Sequence, residues 1–275
     1  MVAYLSQPPI KDNSTTSRLQ CVGTRSPRSS WRPLSRANIQ WDFNLYTIDR
    51  ANASIGPLPQ KILTFPKEAT GLNGLCSLSE SRLIAADSFG SCIWAIDLDT
   101  SSFPPNTAAA KKWLAHDTMY GVLELPDFQP GINGLKYHAH TSHAYYISTQ
   151  KRLFCRVSVD HKTLEPTGEP EVLAKGMPGD DFIIDDTSVD DPVAYVTTHR
   201  DNSILKIHLT DGPGLGKVET ALEGSMKLQD VLGPTAGVWA PGLEGKTAYF
   251  TSDGGLKNVL EDGVMRCAKV IKVDF

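Results

Sequence analysis

Four polar positions recur at the same point of a repeated phrase in this 275-residue chain: Asn73, Asn133, Asp180 and Thr235. Each opens a short apolar run. Brought to one place, such groups do a definite kind of chemistry. Amides, hydroxyls and carboxylates orient the oxygens of a small molecule, and a desolvated carboxyl gives or takes a proton. Asp181 sets a second acid beside the first, and Asp87, Ser88 and His199 end apolar runs nearby in the repeat. Histidine as a residue type suits acid–base work, so His199 near a strand end is a candidate for it, although a rim histidine is the plainer reading. The plainer readings of the others are turns: Asn before Gly, and an Asx turn before a strand.

Other arrangements carry less. No Gly-x-Ser-x-Gly elbow, Walker loop or dinucleotide fingerprint is present, which removes the common hydrolase, kinase and dehydrogenase classes. His138, His140 and His143 have metal-like spacing, but His138 and His140 fall where a solvated hairpin belongs. Asp185, Asp186, Asp190 and Asp191 lack the alternation and central Gly of a calcium loop, so a solvated hairpin is expected there too. The glycines of Asp211–Gly216 are followed by no helix and read as a turn. Five cysteines are scattered with no CxxC pair, a pattern of buried thiols in a reducing compartment rather than of a disulfide or zinc scaffold.

The elements that must position these residues are strands. Asn73-Gly74-Leu75 is followed by Leu83–Ser88 and Ile93–Asp97. Asn133-Gly134-Leu135 is followed by Tyr145–Thr149 and Leu153–Val157. Asp180-Asp181-Phe182 leads to Tyr195–Thr198 and Ile204–Ile207, and Gly233-Pro234-Thr235 to Tyr249–Ser252 and Val270–Asp274. The starts at 73, 133, 180 and 234 are 60, 47 and 54 residues apart. One four-stranded propeller blade takes about 40 to 50 residues. The fold expected is therefore all-β: a six-bladed β-propeller whose first two blades are short or irregular, with five blades as the alternative. The innermost strand of each blade lines the central channel, so the four polar positions converge on one axial pocket.

The wide first spacing reflects an insertion at about 101–130. It is expected to hold one helix over 107–115 and a lid around His116, Asp117, Met119 and Tyr120. Upstream, Asn44–Asp49 reads as the outer strand of an earlier blade, Gln60–Pro66 as the strand leading into Asn73, and Leu19–Thr24 as a remnant of a still earlier blade. The apolar ending Ala268–Phe275 is expected to close the ring, because an unclosed array leaves its end blades bare. Residues 1–40 are expected to be an irregular segment or blade remnant, and 41–275 the propeller.

Composition narrows the partners. Net charge is −4, so the basic footprint of a nucleic-acid binder is missing, and no stretch is long enough to span a membrane. Residues 1–40 hold six Lys or Arg against the single acid Asp12. Their prolines break any long presequence helix, so a cytoplasmic location is expected, organelle targeting being the lesser reading. The partner expected is a small molecule.

Asn-Gly-Leu opening one blade and Asp-Asp-Phe-Ile-Ile-Asp the next resemble the SMP-30/gluconolactonase/LRE-like family of six-bladed propellers. The resemblance runs over about 40–275. It implies that Asn133 and Asp180 match positions that hold a divalent metal together with a glutamate, and that Asn73 matches a further pocket asparagine. The family's Gly-Glu phrase is missing, and the first 40 residues contain no glutamate. Asp181 also stands where Gly is usual. A hard dication needs several oxygen ligands of net negative charge, so no metal or other cofactor is favoured. A fungal branch of the superfamily is more similar still. It shares phrases seen here as Leu83–Ser88, Gly131–Gly134, Gly179–Phe182, Gly233–Thr235 and Gly254-Gly255. That likeness implies secondary-metabolite biosynthesis of the hetero-Diels–Alderase kind.

The function expected is thus an accessory enzyme of terpenoid or polyketide biosynthesis that directs a cyclisation or hetero-Diels–Alder cycloaddition in the axial pocket. Asn73, Asn133, Asp180 and Thr235 would be catalytic, and Asp87, Ser88, Met119, Tyr120, Asp181 and His199 would bind substrate. One alternative is a lactonase or ester hydrolase that uses calcium or zinc on Asn133 and Asp180. Another is a non-catalytic binding propeller or a truncated, inactive relative.

Overall fold

The structure is a computed structural model and describes residues 43–47, 59–102, 105–107, 109–122, 129–188 and 190–275. It is nearly all strand. β1 (Asn44–Thr47) and β2 (Gln60–Thr64) form a two-stranded sheet. β3 (Leu72–Ser79), β4 (Arg82–Asp87), β5 (Cys92–Asp99), β6 (Asn106–Thr107) and β7 (Lys111–Ala115) form the next. Then follow β8 (Ile132–His138), β9 (His143–Ser148), β10 (Leu153–Val159) and β11 (Pro166–Lys175). β12 (Phe182–Asp185), β13 (Val193–Thr198), β14 (Ser203–His208) and β15 (Val218–Glu223) make another sheet. β16 (Pro234–Trp239), β17 (Thr247–Ser252) and β18 (Lys269–Asp274) make the last. All pairings are antiparallel between neighbours in the chain, apart from β7, which returns to β5.

The sheets stack face to face in chain order, and the sequence shows why. A strand covered on one face alternates apolar and polar residues, whereas one covered on both is apolar throughout. In β9, Tyr145 points into the core shared with β12–β15 and Tyr146 into the core shared with β3–β7, and both are fully buried. β4 behaves alike, with Leu83 and Ala85 packed toward β1–β2 and Ile84 and Ala86 toward β8–β11. Phe154 and Phe182 meet edge to face across the next gap, their ring centroids 5.2 Å apart. Trp239, Phe250 and Phe275 wedge beside Tyr195 in the last gap. The arrangement is that of propeller blades.

Four blades of three or more strands are described, with β1–β2 beside the first, so the count of six is not reached among the described residues. Leu19–Thr24 lies outside them. β18 pairs with β17 alone, so the ring closure expected of the chain's last strand is not present among the described residues. The helix expected over 107–115 is a strand instead. Ala and Lys are good helix formers, but tertiary pairing routinely overrides local propensity, and β5 offers a free edge to pair with. β7 takes that edge, with Cys92 opposite Ala115, and Trp113 drops into the core. The hairpin expected to solvate His138 also differs: His138 closes β8 opposite His143 and is buried, while His140 remains exposed.

The glycines after Asn73 and Asn133 serve close approach rather than a turn. A methyl on Gly74 would come within 2.5 Å of the Asn133 carbonyl oxygen, and one on Gly134 within 2.7 Å of the Asp181 Cα. The innermost strands β3, β8 and β12 touch backbone to backbone there, and the Gly134 amide donates to the Asp180 carbonyl at 2.9 Å. Gly134→Ala is expected to cost about 1–3 kcal/mol, as overpacking against backbone does. Chemical denaturation measures it, and a neutral result would show that the strands part freely.

Candidate functional site

The inner strands β8 and β12 bring Asn133 and Asp180 together. Asn133 is buried, and its Nδ2 donates to Asp180 Oδ1 at 2.6 Å and to Thr149 Oγ1 at 3.1 Å. Thr149 in turn donates to the Gly179 carbonyl at 2.6 Å, which fastens the turn leading into Asp180. Burial pushes the Asp180 carboxyl up to about 6, and the neighbouring Asp181 and Asp253 charges push the same way, against His199 and the Asn133 amide. An acid so placed is a proton donor close to neutral pH.

Next to it stands a pair. His199 Nε2 lies 2.5 Å from Asp253 Oδ2, and the other oxygen of Asp253 accepts from the amides of Gly255 and Leu256 at 2.9 and 3.1 Å. A carboxylate held by its own loop and turned onto an imidazole fixes the ring's orientation and leaves Nδ1 to face other groups. The charges of His199 and Asp253 act on the Asp180 carboxyl, so the pair lies within electrostatic reach of it.

Asp253 is absent from the sequence expectations, yet the repeat marks it. Ser88, Thr149, His199 and Asp253 each follow directly on the second strand of their blade. The register of the sheets brings this ring of residues next to the ring that opens the inner strands. Ser88 Oγ accepts from Asn73 Nδ2 at 3.3 Å and donates to the Ile132 carbonyl at 2.6 Å, one residue before Asn133. Asn73 is thus linked to the Asn133 region through Ser88 and not by a direct bond.

Other expected site residues stand differently. Asp181 turns its Oδ1 onto Lys136 Nζ, 2.7 Å away, and that ammonium lies 5.4 Å from the centroid of the Phe182 ring. The hydroxyl of Thr235 is taken up by Thr251 in its own blade at 2.8 Å, and only its carbonyl is tied to the neighbouring blade, through Thr197. Asp87 is fully buried, and its carboxylate is filled by the amides of Thr70, Gly71 and Gly90 and by the Trp94 indole. Met119 has no exposed surface and packs in the core between the β3–β7 and β8–β11 blades. Its apolar side chain fills the gap there, which leaves Tyr120, more than half exposed, as the accessible part of the expected lid.

A divalent metal fits these residues poorly. Asn133 faces Asp180 with its N–H, and Lys136 neutralises Asp181. Asp180 and Asp253 remain, the latter already bonded to His199, where calcium takes six to eight oxygens. Among the described residues no group of three or more His, Cys, Asp or Glu side chains is placed so that it could hold a metal ion. The His138, His140 and His143 trio makes no such group either: His138 Nδ1 and His143 Nδ1 are both engaged with Thr141. Among the described residues no helix is long and apolar enough to cross a membrane.

No family model and no curated protein matches the sequence. Solved structures do resemble the fold. A protein from Bacteroides uniformis, provisionally described as a 6-phosphogluconolactonase, aligns over 78% of this chain and 57% of its own at 13% identity, with a TM-score of 0.53. The calcium-binding protein regucalcin from Agrobacterium tumefaciens aligns over 92% and 76% at 13% identity, with a TM-score of 0.54. A luciferin-regenerating enzyme aligns over 88% and 76% at 16% identity, with a TM-score of 0.57. The chain therefore spans little more than half the length of the first of these. At such identities the likeness is one of architecture: the chain is a β-propeller.

Proposed function

We propose that the chain is a metal-independent acid–base enzyme that binds a small oxygenated molecule at the propeller's hub and directs its cyclisation. The observation that supports this best is the cluster of Asn133, Asp180, His199 and Asp253. It pairs a carboxyl poised to donate a proton near pH 6 with an imidazole oriented by its own carboxylate. In this reading Asp180, held in place by the Asn133 amide, gives its proton to a substrate hydroxyl that leaves as water, His199 takes a proton from another atom of the same molecule, and the conjugated heterodiene so formed adds across an alkene, two σ bonds replacing two π bonds. The ring closes with no oxidant consumed. The sequence phrases shared with the fungal branch favour a secondary-metabolite substrate, with hetero-Diels–Alder closure as the form such a reaction would take.

Lactone hydrolysis is the second reading, favoured by the architecture shared with a protein described as a 6-phosphogluconolactonase. The same imidazole would then activate a water. One experiment separates the two. Purified protein is offered lactones, and separately extract from a producing strain lacking the protein, each with and without chelator. Conversion of an accumulated uncyclised precursor, unaffected by chelator and lowered on the order of 10²-fold by His199→Ala, is expected. Lactone turnover that disappears with chelator, with no precursor converted, would replace this reading by metal-dependent hydrolysis.

A further inference from the structure

The hairpin tips that begin at Ser88, Thr149 and His199 share a backbone. Each ends on a residue of positive φ: Ser91 at 54°, Arg152 at 57° and Asn202 at 52°. The Arg152 carbonyl accepts from the Gly176 amide at 2.8 Å, and the Asn202 carbonyl from the Gly224 amide at 2.6 Å. The left-handed turn therefore belongs to the repeat, and the side chain on it does not. Arg152 is exposed and turns its guanidinium onto the Gly176 carbonyl of its own blade. Asn202 is buried, and its amide reaches out of its blade.

The two ends of that amide meet two segments of the last blade. Asn202 Oδ1 accepts from the Gly233 amide at 2.8 Å, at the entry of β16. Asn202 Nδ2 donates to the Asn258 carbonyl at 3.0 Å, in the loop after β17. Both segments are tied to Asp253. The Asp253 amide donates to the Gly233 carbonyl at 2.9 Å, and Asp253 Oδ1 holds the Gly255 and Leu256 amides at the base of the loop. Gly233 lies so close that a methyl there would come within 1.8 Å of Asp253 Oδ1. On the other side of the gap, Thr198 and Ser203 bond side chain to side chain at 2.6 Å and clamp the tip, so His199 and Asn202 move as one. The contacts thus form a closed circuit: His199 to Asp253, Asp253 to Gly233, Gly233 to Asn202, and Asn202 back along the tip to His199. An imidazole–carboxylate contact between two blades is only as constant as the placement of their tips, which supporting hydrogen bonds fix.

We propose that Asn202 is a positioning residue: its side chain holds the β13–β14 tip against the base of the loop after β17 and so keeps the His199 imidazole on Asp253. The consequence for turnover rests on the reading of this pair as acid–base machinery, whereas the placement itself is measured without a substrate. The full chain is made with isotope-labelled histidine. A carboxylate only accepts, so the bond to Asp253 sets a proton on His199 Nε2. Exchange of that proton with water is followed by nuclear magnetic resonance, its signal being assigned by its loss in His199→Gln. Asn202→Gly keeps the left-handed backbone and removes both side-chain bonds. Exchange is expected to be about tenfold or more faster in it than in the wild type, because the tips then part without breaking those bonds. Ile84→Val, a core change in the β3–β7 blade, is brought to the same stability with mild denaturant and is expected to leave the rate as in the wild type. Equal rates in Asn202→Gly and the wild type overturn the proposal. So does equal acceleration in Ile84→Val, because Asn202 would then be one more part of the fold. Faster exchange in Asn202→Gly alone, in a protein that converts no precursor, upholds the positioning and removes only the cyclase reading. Where Asn202→Gly does not fold, Asn202→Asp takes its place under the same outcomes, since it keeps an acceptor for the Gly233 amide and cannot donate to Asn258.

Discussion

Asp180→Asn is expected to be inactive and, at neutral pH, more stable than the wild type. Its carboxyl has an ordinary value near 3.8 and is pushed up to about 6 in the fold, chiefly by burial. The folded state therefore holds the proton more tightly than the unfolded chain does. The stability this contributes is fully present below pH 4 and is lost as pH rises through 6. Two units correspond to about 3 kcal/mol. Asn keeps an oxygen to accept from Asn133 and carries no charge to desolvate, so the variant should lack this loss. Denaturant melts from pH 4 to pH 8 measure it: the difference between the proteins should open across pH 4–6 and level off near pH 7. Turnover, once a substrate is in hand, should fall on the order of 10²–10⁴-fold, as for loss of a general acid. Parallel pH curves for the two proteins would mean that Asp180 is an ordinary surface acid. Stability given up for a poised group is common at active sites.

Asp87→Ala is expected to cost the most stability of any single change at the polar positions of the repeat. The carboxylate is a bracket: Gly71 and Gly90 amides donate to Oδ1 at 2.7 and 2.9 Å, and the Trp94 indole and Thr70 amide to Oδ2 at 3.0 and 3.1 Å. It binds the entry of β3 to the turn after β4 with no exposed surface. Alanine strands these donors in a dry interior, at about 1–3 kcal/mol for each that water does not reach. The total expected is about 4 kcal/mol or more, seen as loss of soluble folded protein or a large fall in the denaturation midpoint. Asp87→Asn, which keeps one acceptor, should lie between. A small effect in Asp87→Ala with the midpoint retained would show that the bracket relaxes, and would return Asp87 to consideration as a substrate ligand.

The repeat, and with it the architecture, is legible along the chain. Runs such as Leu83–Asp87, Ala144–Ser148 and Val193–Thr198 are apolar without alternation because both of their faces are covered, and only stacked sheets do that. The pairing of Asn133 with Asp180 was legible for the same reason: equivalent positions in neighbouring blades of a stack must face each other. What the sequence left open depends on side-chain direction and on long-range pairing. Lys111–Ala115 reads as helix from local propensity and became a strand because the edge of β5 was free. Asp87 and Met119 look like rim residues by spacing, yet one is consumed by buried donors and the other by core packing. Asp253 is unremarkable in the chain, since its partner His199 lies 54 residues away and only the stacking of the last two blades brings its carboxylate to that imidazole. Local pattern sets which strands form. Which polar groups then meet, and which are spent holding the fold together, is decided by the packing of one sheet on the next.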